Sequence, residues 1–128
     1  MPGDVVVSFV DDSTGFDGTC TSFAIGTITR TFLGTDNCGN VDSSCVQVIT
    51  IVDNTPPMFT VPADVTIDCG LDTLPANTGM VMGATDNCGD TVAISFSDVL
   101  VPDGCPARDT IFRTWSVTDI CGNVATAV

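Results

Sequence analysis

The 128-residue sequence predicts an all-β protein on three grounds. Composition is the first: Lys and Glu are absent and Gln47 is the sole glutamine, so the usual occupants of exposed helix positions are missing. Thr, Val, Gly, Asp and Asn dominate instead, residues that favour strands and turns. The second ground is alternation of apolar and polar residues, the period of a half-buried strand. The third is an internal repeat whose length of ~83–87 residues suits a small β-sandwich.

Taken in order, strands are expected at Val5–Val10, Phe23–Leu33 and Val46–Val52. The last is β-branched and bounded by Asp53-Asn54-Thr55-Pro56-Pro57, a stiff turn or linker because proline fixes its own φ and restrains the residue before it. Beyond it Val65, Ile67 and Cys69 alternate inward, and strands follow at Thr78–Ala84, Val92–Phe96, Ile111–Thr118 and Val124–Val128. Around Arg113, the residues Ile111, Arg113, Trp115 and Val117 share one face, which sets an arginine beside the expected core tryptophan. The aligned Phe32 is expected to anchor the core in the same way.

The repeat fixes the organisation. Val5-Val6-Val7-Ser8-Phe9 resembles Val92-Ala93-Ile94-Ser95-Phe96, and Asp17-Gly18-Thr19-Cys20 resembles Asp103-Gly104-Cys105. Arg30-Thr31-Phe32 matches Arg113-Thr114-Trp115, and Thr35-Asp36-Asn37-Cys38-Gly39-Asn40 matches Thr118-Asp119-Ile120-Cys121-Gly122-Asn123. Residues 1–52 therefore read as the C-terminal half of one repeat and 53–128 as a second repeat lacking its last strand. Val128 aligns with Cys45, so Val46–Val52 has no counterpart in the second repeat.

Charge and composition exclude most functions. A net charge of -13, with sixteen Asp against Arg30, Arg108 and Arg113, makes nucleic acid and anionic membranes poor partners. Without His there is no Ser–His or Cys–His nucleophile, and without Lys no Schiff base or P-loop lysine. No Asp-Thr-Gly or Asp-Ser-Gly tripeptide is present, so the chain is not expected to be an enzyme. Met80 and Met82 read as strand packing or an apolar edge. No segment approaches the ~18 apolar residues of a membrane helix. Met1-Pro2-Gly3-Asp4 has no secretory pattern, so a targeting signal would lie outside this chain. No Asn-x-Ser/Thr sequon occurs, whereas the abundant Thr and Ser suit O-linked glycans.

Asp53-Asn54-Thr55-Pro56-Pro57 with Phe59 to Pro62, then Thr85-Asp86-Asn87-Cys88-Gly89, then Arg113 to Asp119 running into Cys121-Gly122-Asn123, together resemble the Ig-like and hyalin-repeat-like tandem modules of bacterial (Bacteroidetes-type) extracellular surface and fibre proteins. The resemblance covers essentially the whole chain. It implies disulfide-stabilised, Ig-like antiparallel β-sandwich repeats with structural or adhesive roles, and no catalytic residues.

Seven cysteines suit a secreted domain, and the odd number leaves one over. The repeat suggests pairs Cys20–Cys38, Cys105–Cys121 and Cys69–Cys88, with Cys45 remaining. In modules of the hyalin-like kind, a last-strand cysteine can pair with one near the start of the same module. On that resemblance Cys45 is expected to bond outside residues 1–128, between modules or chains. Val61 and Val128, at the matching positions of the second repeat, are valine together.

Asp36, Asp86 and Asp119 are candidate calcium ligands, with Asp11, Asp12, Asp17 and Asp103 as possible additions across a loop tip, because calcium takes several carboxylate and carbonyl oxygens. No EF-hand spacing accompanies them, and a tight turn in which aspartate bonds the backbone accounts for the same residues. No other cofactor is expected. The leading expectation is a structural component of an extracellular fibre, filament or tandem-repeat cell-surface protein, self-associating with neighbouring copies. The alternative is a calcium-dependent adhesin module that binds carbohydrate or a surface receptor.

Overall fold

The computed structural model describes residues 3–89, 92–105 and 108–128, with the side chains of 103–105 and 108 outside that description. The chain is nearly all β and divides into two compact units, Met1–Asp53 and Asn54–Val128. Unit 1 holds β1 (Val6–Thr14), β2 (Ala24–Thr35) and β3 (Val41–Val52) in one antiparallel sheet of order β1-β2-β3. Unit 2 holds β4 (Met58–Thr60), a helical turn α1 (Pro75–Thr78), β5 (Met82–Thr85), β6 (Ala93–Cys105), β7 (Arg108–Thr118) and β8 (Val124–Ala127). Strands β4 and β5 pair with each other, and β6-β7-β8 form a second antiparallel sheet.

The two three-stranded sheets repeat one another in register. Phe9 stands opposite Phe32 and Asp11 opposite Arg30, as Phe96 stands opposite Trp115 and Asp98 opposite Arg113. Strands β1 and β6 run several residues past their expected ends, through Asp11-Asp12 and Asp98. Aspartate is poor in strands, but here each arginine sits directly across the ladder from it and offsets the penalty. Pro102 is tolerated because β6 is an edge strand.

Two expected strands are not formed as expected. Residues 61–69 lie in no strand, although Val65, Ile67 and Cys69 alternate, because no ladder partner lies beside them. The Thr78–Ala84 strand shrinks to β5, since Pro75 opens α1 and Gly79, at φ 97, ends it. Among the described hydrophobic residues the tightest burial is at Trp115 and Val117, which share a face of β7. Phe32 is only half-buried, and every residue of β1 is exposed, so the unit 1 sheet is open on both faces at that strand.

Candidate functional site

In unit 2, β7 supplies the polar centre of the site. Arg113 Nε donates to Asp98 Oδ1 at 2.7 Å and one terminal nitrogen to Asp98 Oδ2 at 2.7 Å, a fork-to-fork pair. Its guanidinium lies 4.4 Å from the Phe96 ring centroid and 5.8 Å from that of Trp115. Two further bonds reach the α1 region: to Thr78 Oγ1 at 2.7 Å and to the Thr73 carbonyl at 2.5 Å. Arg113 thereby ties the β6-β7-β8 sheet to the segment between β4 and β5. The pairing holds the Asp98 carboxyl below the ordinary carboxylate range and raises Arg113.

Unit 1 carries the same cluster without the last two bonds. Arg30 donates to both Asp11 oxygens at 2.8 Å and lies 4.3 Å from the Phe9 ring centroid. Its hydrogen bond to Asp11 lowers that carboxyl and raises the arginine. Each arginine is thus paired with a carboxylate on the neighbouring strand. The signal was present, since the alignment of Phe9 with Phe96 continues to Asp11 and Asp98. The Thr73 and Thr78 contacts had no such signal.

Beside Arg113 lies a groove of about 780 Å³ lined by 61–67, Thr73, Thr78, Asp109–Arg113, Trp115 and Val128. Five consecutive residues of β7 line it, which an alternating strand does only where its backbone edge is open. The ladder agrees: β8 covers β7 only from Trp115 to Thr118, whereas β3 covers β2 from Thr35 to Ala24. One wall of the groove is therefore a bare strand edge, and the other is the extended segment without a ladder.

The three aspartates offered for calcium form turns. Asp36 Oδ1 accepts from the amides of Cys38 and Asn40 at 2.9 Å, and Oδ2 accepts from Asn40 Nδ2 at 2.7 Å, which lowers its pKa. Asp119 repeats this with the Asn123 amide and Nδ2, both at 2.8 Å, and Asp86 Oδ2 accepts from the Cys88 amide at 2.9 Å. Gly39 and Gly122 take φ 84 and 87 in these turns. Asp17 likewise accepts from Thr19, and Asp11 is held by Arg30.

The cysteines differ from expectation. Cys20 and Cys121 are disulfide-bonded, but Cys38 is a free, exposed thiol, so Cys20–Cys38 is not formed. These two residues flank the ends of β2, and a strand of 12 residues spans about 40 Å where a disulfide needs Cα atoms within about 7 Å. The expected Cys105–Cys121 pair involves the Cys105 side chain, which lies outside the described residues. Cys69 and Cys88 are also reduced, with the Cys88 thiol accepting from Asn87 Nδ2 at 3.6 Å in its turn. Cys45, on β3, is a free and exposed thiol. Asp103 lies among the side chains outside the described residues. No helix among the described residues is long and apolar enough to cross a membrane. No family model, no curated protein and no solved structure matches the chain.

Proposed function

We propose that this chain is a structural segment of an extracellular fibre, filament or tandem-repeat cell-surface protein, built of Ig-like β-sandwich modules that cohere with other modules of the same kind. The observation that carries this reading is the uncovered apolar sheet surface. Val6, Val7, Phe9 and Val10 of β1 all stay more than half exposed, on both faces of a single-layer sheet. A three-stranded sheet of this composition gains stability when a second layer covers it, and an open strand edge invites pairing. Secretion is supported by the bonded Cys20 and Cys121, since disulfides persist in oxidising compartments. The exposed Cys45 would add a covalent link to a cysteine outside residues 1–128. Self-association needs no cofactor, and the scarcity of cations fits a partner other than nucleic acid.

The test is the mass of native material, non-reduced and then reduced with its thiols alkylated. A ladder of multiples that collapses on reduction, and that a Cys45→Ser variant no longer forms, supports the reading. Disulfide mapping that joins Cys45 to another cysteine of residues 1–128 contradicts its covalent part.

A further inference from the structure

We infer that the groove between the open edge of β7 and residues 61–67 is a strand-acceptor site. Its occupant is the extended, β-branched strand Val46–Val52 of a second copy of the chain, exchanged out of its own pairing with β2. Only the source of the strand rests on the cohesive reading above; the site itself stands on geometry within unit 2.

The chain shows what belongs in this position. Strand β2 is the counterpart of β7, and its whole second edge is filled by β3, with Phe32 opposite Cys45, Arg30 opposite Gln47 and Ile28 opposite Ile49. Residues directly opposite in an antiparallel ladder share a face. Gln47, Ile49 and Ile51 therefore lie on the side that carries Arg30 and Ile28, the side that in unit 2 carries Arg113, Ile111 and the buried Trp115. A strand of this pattern set beside β7 puts one polar side chain against Arg113 and aliphatic ones against Ile111 and the groove floor. Residues 109–114 span about 20 Å of edge, the length of six strand residues.

The second wall supports the same occupant. Val65, Ile67 and Cys69 have strand alternation, yet 61–69 is in no strand. A strand inserted between this segment and β7 provides the missing ladder on both sides at once, which is the logic of strand addition. Val61 and Val128 both line the groove.

The test titrates the 128-residue chain, thiols alkylated, with a synthetic peptide of the sequence Val46–Asp53, and maps amide hydrogen exchange with and without it. Saturable binding is expected, with new protection in both 61–67 and 109–114. A peptide carrying Ile49→Asp and Ile51→Asp should bind at least about tenfold more weakly, because two buried isoleucine side chains contribute more than that factor. Absence of saturable binding, protection arising elsewhere, or equal affinity of the aspartate peptide overturns the inference. Sedimentation of the chain alone separates the two ideas. Self-association without peptide binding sinks the acceptor site and leaves cohesion standing; peptide binding by a strictly monomeric chain leaves the site and sinks cohesion.

Discussion

Replacing Arg113 by Met removes the guanidinium but keeps an apolar stem against Phe96 and Trp115. Four polar contacts go: two to Asp98 and one each to Thr78 Oγ1 and the Thr73 carbonyl. The ion pair, with Asp98 28% exposed, is worth little. The two bonds to the α1 region weigh more, because a charged donor contributes about 1.5–3 kcal/mol to each, and the arginine side chain is only 13% exposed. A loss of about 3 kcal/mol, at roughly 4–8 °C per kcal/mol for a unit of this size, lowers the melting temperature by roughly 12–24 °C. Trp115 is the only tryptophan, so a fluorescence-detected melt reports on unit 2. Arg30→Met is the matched comparison, with the same aspartate pair and a phenylalanine ring but neither α1 bond, and should shift a circular-dichroism melt far less. A double-mutant cycle with Thr78→Val should recover about 1.5 kcal/mol of coupling. Equal shifts for the two arginines, or zero coupling to Thr78, would refute the assignment of Arg113 as the tie between the sheet and the α1 segment.

Three further outcomes follow from the same structure. Asp11, Asp36 and Asp98 have lowered pKa values, so their contribution is complete above the unfolded carboxylate value and is lost as pH falls through their lower folded values. The melting temperature should hold or rise from pH 7 to about 4, as repulsion among the negative charges eases, and fall below it; loss of stability already at pH 6 would contradict this. Gly122 has φ 87 and open space where a Cβ would stand, so Gly122→Ala should cost about 1–2 kcal/mol through backbone strain alone, and Gly122→Asn less. Denaturant melts of the two variants check the order. Brief maleimide labelling of the native chain should modify Cys38, Cys45 and Cys69 first, Cys88 more slowly, and Cys20 and Cys121 only after reduction; mass spectrometry of the peptides reads the sequence of events.

Strand content was legible because strand formation here is local: β-branched runs such as Val46–Val52 and the face shared by Ile111, Arg113, Trp115 and Val117 state their period directly. The repeat was legible too, and the ladders reproduce it down to the Asp–Arg register. Strand lengths were not, because the continuation of β1 and β6 through aspartates depends on an arginine placed across the ladder, a non-local partner. The Cys20–Cys38 pair failed for a related reason. The repeat suggested Cys20 with Cys38, but the β2 strand between them carries its ends far apart. The 61–69 segment failed oppositely: its alternation promises a strand, and a strand needs a neighbour. The part of the groove made by Thr73 and Thr78 depends on a helical turn that no pattern announced.

The central claim, cohesion between modules through uncovered sheet surface, is tested most directly by sedimentation velocity on the thiol-alkylated chain from low micromolar to millimolar concentration. Blocking the thiols leaves only non-covalent contacts to act. A weight-average mass that climbs steadily with concentration, without stopping at a dimer, is the predicted result, because a head-to-tail contact whose rotation does not close keeps adding copies. A single monomeric species across the whole range, with β1 still as exposed as the structure has it, would contradict the claim.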